Sequence, residues 1–547
     1  MNHLFYYIQK SMRNYWDSPA LVNYGEDFLT YGQLAEKIAR LHIVFEEVGV
    51  KKGDKIVLCA KNNVNWGVTF LAITTYQAIA VPLLNDFTAE SIQALTEHSE
   101  AILLFTEKEK WDRLDHEKFT YLRGAVSADD FAVLYSKEGK LPAAMLHLNE
   151  VFKNKYHDEF NIKHVNYPTN NFEDVAIINY TSGTTSAPKG VMLSYNTLSS
   201  NVEFGLQGIP NHHGDAIVSM LPLAHMYGLA FEFLYQLAGG TTVHFLGKVP
   251  SPKVLLMAMA KVRPYLVITV PLVLEKIFKN NVFPIIKKPS MKFLMKNPIT
   301  GPFVKKRIRS KVMDVFGGQT RSIVVGGAAI NQEVESVMKD IKIPYTVGYG
   351  MTECGPLLGY EDWSRFKKGS CGKVVHRMEI RIDSEDQAKI PGEIQVKGMN
   401  VMLGYYKNEE ATKAAFTEDG WMRTGDMGVI DAAGNIFIRG RIKNMILGSG
   451  GQNIYPEEIE DKLNNQPYII ESVVIERDKK IVALVYPDYD RVSQEDLDKM
   501  KLAQLMEENR INLNLLLPNY SKIAKIEMLK ESFEKTPKRS IKRFLYK

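Results

Sequence analysis

The chain is poor in cysteine: Cys59, Cys354 and Cys371 are the only three in 547 residues, and no Cys-x-x-Cys pair occurs. That excludes a disulfide framework, and suits reduced thiols in a cytoplasmic protein. Long apolar runs are also missing. The best, Leu266–Leu274, spans nine residues, short of the ~18 needed to cross a bilayer and suited to a buried strand. The N-terminal MNHLFYYIQKSMRNYWDSP has neither a continuous apolar stretch nor a small-residue cleavage site. Nor is there an excess of one charge. Lys+Arg exceed Asp+Glu by only 68 − 63 = 5, which does not argue for a nucleic-acid partner. Low-complexity linkers and internal repeats are absent.

What is present is ordinary globular composition, 45% apolar and 24% charged. Helical and strand patterns alternate over the first 350 or so residues. Leu34, Ile38, Leu41 and Phe45 keep helical spacing, Thr30 and Gln33 form a capping box, Gly49 stops the run, and a strand over Lys55–Ala60 follows. This rhythm predicts an α/β fold. Residues 375–440 differ: GEIQVKG and NIFIRGR read as short alternating strands with glycine-containing turns, a small β subdomain. A boundary is expected near 440–444, giving an N-terminal part of 1–440 and a C-terminal domain of 441–547. In the latter, Pro456 opens a helix to Leu463, strands follow near Ser472–Ile475 and Ile481–Tyr486, and a helix covers about 494–514.

Charge is uneven locally. Residues 276–321 hold twelve Lys/Arg and one acid, Asp314, among Phe, Leu, Met and Ile, and the last thirteen residues hold six Lys/Arg and no acid. The plain reading of each is a solvated basic face. The functional alternatives are an anionic membrane surface, placing the protein at the inner face of the membrane, or an acidic carrier protein.

The segment Tyr180-Thr-Ser-Gly-Thr-Thr-Ser-Ala-Pro-Lys-Gly190 leaves the apolar run Val175–Ile178. It packs five Ser/Thr hydroxyls, two glycines and Lys189 into eleven residues. Glycines free backbone N–H groups to face a ligand, hydroxyls donate to phosphate oxygens, and Lys189 supplies a point charge. It does not match GxxxxGK[ST], so a Walker-type NTPase is not indicated.

This loop resembles the signature of the adenylate-forming superfamily, which includes acyl-CoA synthetases, luciferases and nonribosomal-peptide adenylation domains. Ser186 stands where many members have glycine. Further segments resemble that family's motifs in its order: Leu221-Pro-Leu-Ala-His-Met-Tyr-Gly228, Gly326-Gly-Ala-Ala329, Tyr349-Gly-Met-Thr-Glu353, Trp421-Met-Arg-Thr-Gly-Asp426, and Gly440-Arg-Ile-Lys-Asn444 followed by Gly451–Glu460. The resemblance runs from about Leu29 to the C-terminus. It implies two α/β subdomains plus a β subdomain, followed by a small mobile α+β domain. It also implies ATP, Mg²⁺ and coenzyme A as cofactors. A carboxylic acid would be joined to ATP as an acyl-adenylate, then passed to the thiol.

By the same resemblance, Thr181, Ser182, Gly183, Thr184, Thr185 and Lys189 would meet the phosphates. Gly327, Ala328, Tyr349, Gly350, Met351 and Thr352 would meet adenine and the α-phosphate. Asp426 would accept the ribose hydroxyls, with Arg441 assisting. Glu353 and Thr184 would hold Mg²⁺. His225 would wall the acyl pocket near the thiol entrance, and Lys443 would be the hinge. LPLAHMYG has no acid to pair with an α-amine, which disfavours amino-acid substrates. The family's C-terminal TPxGKIxR lysine is replaced. In Lys535-Thr-Pro-Lys-Arg-Ser-Ile-Lys-Arg543, Ser540 takes its slot, leaving Lys538, Arg539 or Lys542 to supply the cation. The hinge segment, GGAA and the basic insert look most like long-chain fatty acyl-CoA synthetases. An aryl-acid or carrier-protein ligase, and an adenylate-binding relative that has lost full catalysis, are the alternatives.

Overall fold

The computed structural model describes residues 1–157, 159–181, 188–247, 252–447, 452–536 and 541–546. Its central element is an eight-stranded sheet. Strands Ile79–Pro82, Lys55–Cys59, Leu103–Thr106 and Gly124–Ser127 run parallel. Val175–Thr181 lies parallel beside Ile79–Pro82. Lys189–Ser194 then pairs antiparallel with Val175–Thr181, and Gly404–Tyr405 adds to its outer edge. The expected helix forms over Tyr31–Glu47, with the Thr30–Gln33 capping box closed on both sides.

A second layer joins Ala216–Ser219, Thr242–Phe245 and Pro19–Asn23 in parallel pairing, with Phe28–Thr30 as an antiparallel edge. Leu266–Thr269, Ser322–Val325 and Tyr345–Val347 form a parallel three-stranded sheet. The apolar run Leu266–Leu274 is therefore not one strand. Pro271 sits in the first turn of a helix, Pro271–Ile277, where its missing N–H costs nothing. The expected β subdomain is a four-stranded antiparallel sheet of Met378–Asp383, Gly392–Gly398, Met422–Ile430 and Ile436–Arg441.

Two apolar cores are built wholly from residues 446–546, one around Leu463, Ala483, Val485 and Leu513, the other around Val473, Leu484 and Phe533. The helix Pro456–Leu463 and strands Ile469–Arg477 and Lys480–Pro487 frame them. The helix expected over about 494–514 forms as Lys499–Leu515, capped by Asp498; a separate short helix, Tyr489–Gln494, precedes it, and Asp496 between them takes a left-handed φ of 51°. Among the described residues no helix is long and apolar enough to cross a membrane.

Candidate active site

A cleft of about 2150 Å³ runs between the large N-terminal part and the C-terminal residues. That exceeds the roughly 300–1,000 Å³ of a single small-molecule pocket, so it has room for several ligand parts. Lys189, His225, Gly327, Ala328 and the 349–353 segment all line it, as do Asp426, Arg441 and Lys443.

One end is organised by Asp426, at the bend of strand Met422–Ile430. It is 4% exposed. The Tyr349 phenol donates to its Oδ2 at 2.7 Å, and Arg441 Nε lies 2.8 Å from Oδ1. Burial raises the Asp426 pKa, opposed by Arg441 and Tyr349. Burial likewise holds the Tyr349 phenol protonated, so it can only donate to a carboxylate here. Arg441 is half exposed and pairs with Asp426 across adjacent strands.

Next to it, Thr352 and Glu353 sit in a short helical turn, Thr352–Cys354. Tyr405 donates to Glu353 Oε1 at 3.0 Å, and the Lys189 ammonium lies 4.9 Å over the Tyr405 ring. Tyr405 thus links a carboxylate on a helical turn to a cation on a strand, and its own pKa is raised, first by burial and then by Glu353. Sequence reasoning missed it, because no motif marks one tyrosine in VMLGYYKNEE. Thr181 faces Lys189 across the hairpin, and Ser182, Gly183, Thr184 and Thr185 lie outside the described residues. A hard dication asks for a carboxylate, a hydroxyl and phosphate oxygens. Glu353 fits that donor set, since Tyr405 occupies one of its oxygens and leaves other lone pairs.

The other end is apolar. Phe231, Leu246, Leu255, Ile268, Val270 and Val315 contribute to its wall. Gly327 turns there with φ +86°, where an L side chain would be strained. A Cβ on Gly326 would come within 3.0 Å of the Tyr227 ring, so this glycine sets the local width. The 221–225 loop carrying His225 is fastened from three sides. Asn62 Nδ2 donates to Leu221 O at 2.7 Å, and Asn179 Nδ2 donates to Ala224 O at 2.8 Å. Glu232 Oε2 accepts from Ser219 Oγ and from the Met220 and Leu221 N–H groups at 2.9–3.0 Å. Glu232 lies in a π-helical turn, Leu229–Leu234, and is fully buried. Burial lifts its pKa to about 8 against those three donors. A lone acid within LAFEFLYQLA was its visible signal.

The C-terminal residues reach the cleft. Ile541, Arg543 and Phe544 line it, whereas Lys542 does not and instead pairs with Glu534 at 3.3 Å. Arg543 meets Glu460 bidentately, at 2.7 Å for each bond. Lys538, Arg539 and Ser540 lie outside the described residues.

Residues 8–406 match the family model described as AMP-binding enzyme, and the chain belongs to that family. Curated relatives include a long-chain-fatty-acid–CoA ligase of Mycobacterium bovis, 28% identical over 82% of this chain and 75% of that protein. A 4-coumarate–CoA ligase of Humulus lupulus is also 28% identical, over 93% of this chain and 90% of its own. ATP-bound MatB from Rhodopseudomonas palustris shares the fold with TM-score 0.76 at 22% identity, covering all of this chain and 98% of its own.

Proposed function

We propose that the protein activates a fatty acid, best a long-chain one, to an acyl-adenylate and transfers the acyl group to coenzyme A. AMP and pyrophosphate are the other products. The observation that carries this is the apolar branch of the cleft opening beside Glu353, Lys189 and the Asp426 cluster. Each methylene buried there contributes about 0.8 kcal/mol.

In this reading Asp426 accepts the ribose hydroxyls and Tyr349 offers its ring to adenine. Thr352 donates to the α-phosphate. Lys189, with Thr181, Ser182, Gly183, Thr184 and Thr185, neutralises the triphosphate. Glu353 and Thr184 would hold Mg²⁺, which would supply charge neutralisation at the phosphates. A carboxylate oxygen held near His225 attacks the α-phosphorus and pyrophosphate leaves. The thiolate of coenzyme A then attacks the acyl carbon and AMP leaves. Lys443 serves as the hinge for the C-terminal domain between the two steps. Lys542 supplies charge during adenylation once its pair with Glu534 opens.

The test is thioester formation across a panel of acids with ATP, Mg²⁺ and either coenzyme A or acyl carrier protein. Palmitate with coenzyme A should lead. Preference for acetate or an aryl acid refutes the fatty-acid assignment. The equal similarity to 4-coumarate ligases makes the aryl acid the second reading.

A further inference from the structure

The helix Pro271–Ile277 and the turns after it wall the cleft through Leu272, Lys276, Ile277, Asn280 and Asn281. The chain then runs into a hairpin of two helices, Pro289–Lys296 and Gly301–Val315. Thr300 Oγ1 donates to Leu294 O, which fixes the turn between them. This hairpin displays what globular surfaces avoid. Phe293, Ile299 and Phe303 are 72%, 75% and 75% exposed, and Leu294 joins them. They lie near the end where the two helices join.

The charges around them are of one sign. Lys287 and Lys305 are answered by Glu333 and Asp340. Lys288, Lys292, Lys296, Lys306 and Arg307 make no ion pair among the described residues, and Asp314 is the one acid between 276 and 321. Phe303, Lys306 and Arg307 share a helix face at i, i+3 and i+4. Protruding aromatic and aliphatic side chains ringed by cations match the acyl and headgroup layers of an anionic bilayer. A folded acidic protein would match the charge but leave Phe293, Ile299 and Phe303 without a pocket.

We infer that the 289–315 hairpin is a docking surface for an anionic lipid bilayer, with Phe293, Ile299 and Phe303 entering the interface and the flanking lysines and Arg307 meeting the headgroups. Resting on the fatty-acid reading, it would set the mouth of the acyl branch against the phase in which such acids dissolve, because the cleft wall and the hairpin are consecutive in the chain.

The test is sedimentation of the full chain with phosphatidylcholine vesicles, with and without phosphatidylglycerol, in the absence of acid, ATP and coenzyme A. Binding is expected only with phosphatidylglycerol, and should be lost on moving from about 0.15 M to about 1 M salt, as the Debye length shrinks. Two variants, Phe293→Ser with Phe303→Ser, and Lys306→Glu with Arg307→Glu, should each weaken binding about tenfold or more, with unchanged thermal midpoints and unchanged turnover of a soluble short acid. Equal binding to neutral vesicles, no binding to anionic ones, or undiminished binding by both variants overturns the proposal. So does binding of acyl carrier protein, but not of vesicles, through the same residues. Because no substrate is present, failure here leaves the ligase reading standing, and failure of the acid panel leaves the vesicle result readable.

Discussion

Arg543 holds Glu460 through two parallel hydrogen bonds of 2.7 Å, joining the C-terminal tail to the helix Pro456–Leu463. Glu460 also accepts from the Val474 N–H at 2.6 Å, and Arg543 donates to Val474 O. The pair is largely buried, and burial is the first cause acting on both groups. Arg543→Ala leaves a carboxylate in the interior without its cation, a change worth about 3–5 kcal/mol in comparable pairs. Amide exchange in strands 469–487 should accelerate accordingly. Joint replacement of Arg543 and Glu460 by leucine should restore most of the loss, and a double variant as weak as the single one contradicts this account.

Lys542 stands beside that pair yet faces Glu534. Lys542→Ala is expected to slow ATP–pyrophosphate exchange more than thioester formation from a preformed adenylate. Equal exchange rates in variant and parent remove Lys542 from the adenylation step.

Asp426→Asn keeps shape but removes the charge paired with Arg441. The KM for ATP should rise by about tenfold or more, where tenfold corresponds to about 1.4 kcal/mol. Tyr349→Phe deletes one donor to the buried carboxylate and should lower the thermal midpoint, at a cost of about 1–3 kcal/mol. An unchanged ATP KM in Asp426→Asn argues against a ribose contact.

Glu232 makes stability depend on pH. Its ordinary value is 4.5, and the folded value is about 8. Between these the folded chain keeps a proton that the unfolded chain has released. Raising the pH through that window therefore removes stability, by up to about 1.4 kcal/mol per pH unit, and the effect ends above the folded value. Glu232→Gln should flatten this part of the profile. Denaturation midpoints of parent and variant that run parallel between about pH 5 and pH 8 would exclude the mechanism.

Much of the fold was legible because its local signals agree. The capping box at Thr30, the strand over Lys55–Cys59 and the β strands near Gly392 and Ile436 each combine period and punctuation. The run Leu266–Leu274 misled because apolarity alone does not distinguish strand from buried helix, and Pro271 was the deciding residue. In the cleft, Asp426 lies with Tyr349 and Arg441, all three marked by motifs, whereas other contact residues carry no motif. Tyr405, Asn62 and Glu232 act through contacts from other parts of the chain, and long-range contacts leave no period in sequence.

The hairpin bearing Lys189 has a further consequence. Val175–Thr181 and Lys189–Ser194 pair up to Thr181 and Lys189 themselves, so the chain reverses within the seven residues between them. A Walker loop, by contrast, borrows positive potential from the start of the long helix that follows it. Here the chain leaves the loop as a strand, whose net dipole is small. Lys189 thus enters the cleft at the start of a strand and not of a helix, and the positive charge it brings there is that of its own ammonium.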